Sequence, residues 1–66
     1  MNSVLGELRR RHVEQTLADL IARRDIVEAR CSHLEAHKLD MWDALSELHK
    51  VNMSIAAMRR ELRSGL

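Results

Sequence analysis

The chain has 66 residues, of which 45% are hydrophobic and 32% charged, and its formal net charge at pH 7 is +1. This length allows one small domain without a large buried core. The absence of proline and the single cysteine exclude collagen-like, proline-rich and disulfide-stapled chains. Apolar residues spaced regularly between the charges argue against disorder.

The charge and the cysteine content limit which partners and which cellular location are expected. The 11 basic and 10 acidic residues are spread over both halves, which gives little electrostatic support for non-specific nucleic-acid binding. Cys31 has no second cysteine to pair with and no export signal is visible, so we expect a cytoplasmic, reducing location. The longest apolar run, residues 55–58, is too short for a membrane span, so no membrane partner is expected.

Apolar residues recur at every seventh position along most of the chain. The series is Val13, Leu20, Val27, Leu34, Met41, Leu48, Ile55 and Leu62. A strand would require alternation with a period of two, whereas a period of seven is typical of a packed helix. Without proline, nothing forbids helix from about residue 4 to residue 63.

The second row of this apolar seam changes its spacing halfway along the chain. In the first half the second row lies four residues after each member of the series, at Leu17, Arg24 and Cys31. In the second half it lies three residues after each member, at Ala44, Val51 and Met58. The two stripes are mirror images, because matching positions such as 34 and 41 add to 75. An antiparallel helical hairpin produces this mirror.

We therefore predict one all-α domain over residues 1–66. It has a helix over about 4–34, a turn over about 35–40 and a helix over about 41–63. The alternative is a long parallel coiled-coil dimer that absorbs the change in spacing as a discontinuity. The predicted core of the hairpin or dimer is Val13, Leu17, Leu20, Val27, Cys31, Leu34, Met41, Ala44, Leu48, Val51, Ile55, Met58 and Leu62.

Charges beside the seam favour the hairpin. A basic flank of the first helix, with Arg9, Arg23 and Arg30, would face an acidic flank of the second and place Arg30 near Glu47. A parallel self-paired first helix would instead match these arginines with glutamates of its partner, but it would carry Arg10 and Arg24 on its seam.

The turn has no glycine, proline or asparagine to end the first helix. Asp40 can cap the second helix, while Ser32 and Glu35 spell a capping box that would start that helix near residue 33. At the other ends, Asn2 or Ser3 can cap the first helix, and Gly65 is a plausible C-terminal stop.

Several large apolar residues lie off the seam. We expect Ile21, Trp42 and Leu45 to form a second strip that binds a partner, with Trp42 as the anchor. Two hairpins joined at this strip would make a four-helix bundle. Isolated surface hydrophobes are the alternative interpretation.

No catalytic, cofactor or metal site is predicted. His33 and His37 share a helix face with Asp40 beyond them, but the spacing does not match a zinc-binding helix, so we interpret both as solvated turn residues. Cys31 is interpreted as a small core residue. The sequence contains no phosphate-binding loop, nucleophile elbow or Cys-x-x-Cys motif, and we expect no enzyme activity.

The expected function is protein binding. We predict a non-enzymatic interaction, regulatory or adaptor module that works as a helical homodimer on a protein partner that the sequence does not identify. In size and shape the chain resembles small accessory or regulatory proteins of temperate bacteriophages and helical-hairpin co-chaperones of secretion systems. The alternative is a small dimeric nucleic-acid-binding regulator that uses the stripe formed by Arg9, Arg23 and Arg30.

Overall fold

The computed structural model describes residues 3–65 and contains two α-helices, α1 (Ser3–Ala36) and α2 (Trp42–Arg63). The helices pack against each other along their lengths, and residues 37–41 connect them. No strand occurs between residues 3 and 65. The all-α helical hairpin is therefore confirmed, and the continuous rod of the parallel coiled coil is wrong, because the chain reverses direction.

The helix ends differ slightly from the sequence expectations. α1 continues to Ala36 and α2 begins at Trp42, so the connection is shorter than predicted. Ser32 and Glu35 lie inside α1, so the capping box does not start a helix there. Residues 3–6 are helical, while a cap at Asn2 lies outside the described residues.

The core consists of mirrored layers between the two helices. Val27, Cys31 and Ala44 form a buried cluster, and Leu34, Met41 and Leu48 pack against it. These six residues are three of the pairs whose numbers add to 75, so the cluster has the register of the mirrored stripes. Val13, Val51 and Ile55 are also buried, and the remaining predicted core residues are half-buried: Leu17, Leu20, Met58 and Leu62.

Arg24 is the one charged residue of the seam in α1. Its guanidinium lies 3.5 Å from Asp25 and 3.7 Å from Glu28, and its side chain is half-buried. The Arg24 Nε atom is buried without a hydrogen-bond partner among the described residues. The aliphatic part of the Arg24 side chain thus lies on the seam and its Nε is buried, while its Nη2 reaches the exposed carboxylate of Asp25.

The C-terminus of α1 closes in a Schellman motif without glycine. The N–H of Leu39 donates to the Leu34 carbonyl at 2.8 Å, and the N–H of Lys38 donates to the Glu35 carbonyl at 3.1 Å. Lys38 has a φ of 54°, in the left-handed region that glycine adopts most easily. Two satisfied carbonyls therefore offset the unfavourable backbone conformation of a lysine.

Short polar contacts fix both ends of α2. The Asp40 carboxylate accepts a hydrogen bond from the N–H of Trp42 at 3.0 Å, which satisfies one of the free donors at the helix start. At the other end Gly65 has a φ of 84°, and its N–H donates to the Leu62 carbonyl at 3.4 Å. Gly65 thus supplies the left-handed residue that ends this helix.

The two helices differ in length, and this leaves part of α1 uncovered. α1 has 34 residues and α2 has 22, which correspond to about 51 and 33 Å. In the mirrored register Arg63 is level with His12, so residues 3–11 extend beyond the end of α2. The molecule is accordingly a rod with extents of 56 × 15 × 13 Å. We call the end with residues 3–12 and 59–65 the open end, and residues 35–47 the turn end.

We predict that Lys38→Gly raises the free energy of unfolding by about 0.5–1 kcal/mol, because glycine adopts the left-handed conformation without a Cβ penalty. Lys50→Gly is the matched control, since it removes the same side chain from the interior of α2. It should lower the free energy of unfolding by about 1 kcal/mol. Urea unfolding followed by circular dichroism measures both changes, and equal destabilisation by both variants would contradict the turn geometry.

Two isoleucines provide a test of the packing. Ile55 is 3% exposed and Ile26 is 62% exposed. Ile55→Ala should destabilise the fold by about 2–4 kcal/mol because it leaves a cavity. Ile26→Ala should change stability by less than about 0.5 kcal/mol. Thermal unfolding at equal chain concentration compares the two variants, and a large loss for Ile26→Ala would show that another surface covers that residue.

Candidate interaction surface

An exposed aromatic groove lies at the start of α2. Trp42 is 72% exposed and Leu45, one turn later, is 46% exposed. Together with Ser46, His49 and Lys50 they line a shallow groove of about 330 Å³. We call this the Trp42 groove. Its lining residues follow helical spacing along a single face of α2, which packing against α1 leaves open.

The turn holds the aromatic anchor in place. Trp42 is the first residue of α2, and its backbone N–H is tied to the Asp40 carboxylate. The N–H of Leu45 donates to the Met41 carbonyl at 2.8 Å, which closes the first turn of α2. Large aromatic side chains on such fixed backbone are the residues that contribute most to protein interfaces.

Ile21 does not belong to this groove. It lies on α1, is half-buried and is absent from the residues that line the groove. In the mirrored register Trp42 is level with residue 33, about 18 Å along the helix axis from Ile21. The structure therefore brings Trp42 and Leu45 together in the groove and places Ile21 apart from it, and partner binding at all three residues stays a prediction.

The open end carries an apolar patch that the sequence interpretation did not identify. Val4, Leu5 and Leu8 are 69%, 68% and 55% exposed. They lie on the part of α1 that has no α2 beside it, and their spacing places them away from the seam. The sequence indicated this patch only by its position, because the three residues precede Val13, the first member of the apolar series with a period of seven. We call these three residues the open-end patch.

The three arginines of the predicted nucleic-acid stripe all face glutamates of α2. Arg9 lies 3.5 Å from Glu61 and Arg30 lies 3.8 Å from Glu47, while Arg23 donates a hydrogen bond to the same Glu47. The expected approach of Arg30 to Glu47 is thus confirmed. These ion pairs direct the guanidinium groups toward carboxylates of the same chain and reduce their availability for phosphates.

The rings of the two histidines near the turn lie close together in a tilted arrangement. The ring centroids of His33 and His37 are 4.4 Å apart, and the planes are inclined by 46°. Among residues 3–65, no three histidine, cysteine, aspartate or glutamate side chains gather in an arrangement that could hold a metal ion. Cys31 is buried in the core cluster. Two exposed imidazoles thus lie at the C-terminal end of α1, with His33 in its last turn and His37 directly after Ala36.

Comparisons with known proteins do not add to this geometry. No family model, curated protein or solved structure matches the chain. Neither α1 nor α2 contains an apolar stretch long enough to cross a membrane. The functional conclusion therefore depends on the groove, the patch and the charges of the hairpin itself.

The Glu47 ion pairs can be tested with a matched substitution. Glu47→Gln should lower the free energy of unfolding by about 0.5–1 kcal/mol, because Glu47 contacts two arginines from the other helix. Glu14→Gln, at an exposed glutamate without an ion pair in the described part of the chain, should change it by less than about 0.3 kcal/mol. The difference should shrink in high salt. Urea titrations at low and high salt measure it, and identical effects of both variants would contradict the pairing.

Proposed function

We propose that this protein is a small non-enzymatic interaction module of the cytoplasm, regulatory or adaptor in role, that works as a helical homodimer. The observation that carries the proposal is the exposure of Trp42 beside Leu45 on a face of α2 that the hairpin does not use. A tryptophan that contributes nothing to the core of a small protein and forms an apolar groove is characteristic of an interface anchor.

The mechanism we propose is recognition of a helix by a groove. An amphipathic helix with apolar residues at a spacing of three or four would lay its apolar side against Trp42 and Leu45. Ser46, His49 and Lys50 line the rest of the groove and supply polar contacts to the bound helix. Such recognition requires only the geometry of one helix face, which a chain of this size can supply.

The small core supports self-association. In the described part of the chain six apolar side chains are buried, and Val27 is the largest of them that is fully buried. Two helices that bury one stripe each form a marginal core, and small domains of this kind gain stability by oligomerisation. A second copy packed against the first would complete a four-helix bundle and give the core a second layer.

We expect light scattering to give twice the chain mass of 7.6 kDa. Trp42→Ala should raise the dissociation constant of the dimer at least about tenfold, because it removes the anchor of the interface. Met53→Ala is the control, since Met53 is exposed on the same helix but does not line the groove. It should change the constant less than about threefold. Sedimentation equilibrium measures all three proteins.

Two results would contradict the proposal. A folded monomer at high concentration would exclude the homodimer. Salt-steep binding to duplex DNA, abolished by substitution of Arg9, Arg23 and Arg30, would favour the nucleic-acid regulator instead. Fluorescence anisotropy of labelled duplex DNA at physiological salt separates these functions, and we expect no binding.

A further inference from the structure

Charge is distributed unequally along the rod. The open end carries six arginines and two glutamates, a net charge of +4, and the turn end carries four carboxylates and Lys38, a net charge of −3. The middle of the rod, residues 13–34 and 48–58, has four basic and four acidic residues and is neutral. The hairpin therefore has a basic end and an acidic end, separated by most of its 56 Å length.

Each charged end also has an exposed apolar surface. The open-end patch of Val4, Leu5 and Leu8 belongs to the basic end. The Trp42 groove begins in the acidic end at Trp42 and Leu45 and extends to His49 and Lys50. Leu39, 53% exposed in the turn, adds to the second surface. Opposite charges surrounding two apolar surfaces make the two ends complementary to each other.

One chain cannot bring its own ends together, because α1 is a continuous helix of 34 residues between them. A second copy can. When two rods lie antiparallel with their α1 helices fully overlapped, residue 5 of one copy is level with residue 34 of the other. Trp42 is level with residue 33 of its own α1, so the open-end patch of each copy lies at the level of its partner's Trp42 groove. The twofold symmetry forms this contact twice.

The unequal helix lengths provide the space for this contact. Because residues 3–11 extend beyond α2, the partner presents a single helix at the level of the Trp42 groove. That single helix of the partner can lie against α1 and α2 at the turn end of the first copy. The dimer then has three helices side by side at each end and four in its centre. A parallel dimer would instead place the two +4 ends together and the two −3 ends together, which is electrostatically unfavourable.

We infer that the Trp42 groove is filled in the free protein by the open-end patch of a second, antiparallel copy, an inference that rests on the proposed function because both use the same groove. The second copy is the occupant whose charge, apolar surface and length all match the turn end. An external helix would then bind by displacing residues 3–11 of the partner copy.

Trp42 is the single tryptophan of the chain, and this allows a direct test. The unlabelled protein is mixed with a Trp42→Phe, Cys31→Ala chain that carries a nitroxide on a cysteine replacing Glu7. In the antiparallel dimer residue 7 of one copy is level with residue 32 of the other, so the nitroxide should quench the fluorescence of Trp42. The labelled chain has no tryptophan, so any quenching arises between copies.

The same label on a cysteine replacing Lys38 is the matched control. In the antiparallel dimer it lies near the open end of the unlabelled copy and should leave Trp42 fluorescence unchanged. Quenching by the label at residue 38 and not at residue 7 would overturn the inference in favour of a parallel dimer. A dimer in which neither label quenches would also overturn it and would leave the proposed interaction module standing, whereas a folded monomer would overturn both.

A second measurement avoids changes to Cys31. Arg10→Glu lowers the charge of the open end from +4 to +2 without altering an ion pair of the described chain. It should raise the dissociation constant of an antiparallel dimer about three- to tenfold, and high salt should weaken the unmodified dimer. In a parallel dimer both changes would relieve repulsion and tighten association, so the opposite sign would overturn the inference.

Discussion

The structure depends on the change in spacing of the apolar seam between residues 34 and 41. Before this point the second seam row follows the first by four residues, and afterwards by three. In a straight helix the first row would continue in line but the second row would pass to its other side. Reversal of the chain instead lets both rows of one half face both rows of the other. The buried cluster of Val27, Cys31 and Ala44 and the contacts of Glu47 with Arg23 and Arg30 are consequences of that register.

The same register determines what remains uncovered. Because α2 is shorter than α1, the mirrored layers end at Val13 and Leu62, and Val4, Leu5 and Leu8 lie beyond the end of α2. At the other end the packing face of α2 turns Trp42 outward. The hairpin thus has an exposed apolar surface at each end, one at the basic end and one at the acidic end, besides the isolated Ile26 and Met53 between them. We propose that this arrangement favours a second copy as the partner and makes the groove available to other helices only by exchange.

The sequence predicted the layers well because side-chain periodicity alone specifies them, and it predicted the approach of Arg30 to Glu47 because flanking charges follow from the same heptads. The Schellman turn was not predictable, since Lys38 has no preference for the left-handed conformation and only the hydrogen bonds of Leu39 and Lys38 reveal it. Ile21 lies about 18 Å along the axis from Trp42, because a shared flank of the two helices does not specify the level along the axis. Partner binding at Ile21, Trp42 and Leu45 stays a prediction. The open-end patch was missed because it depends on the unequal lengths of two helices.

The most direct test of the mirrored register is the distance between spin labels at residues 12 and 63, two exposed positions whose numbers add to 75. Double-labelled His12→Cys, Arg63→Cys chains in a Cys31→Ala background would be diluted with unlabelled protein, so that only distances within one chain are measured. In the hairpin the two labels lie on neighbouring helices whose axes are about 8–10 Å apart, so a short distance between the labels is expected. A continuous helix would separate the same residues by about 77 Å. A distance distribution centred at that length would contradict the hairpin and every inference drawn from its two ends.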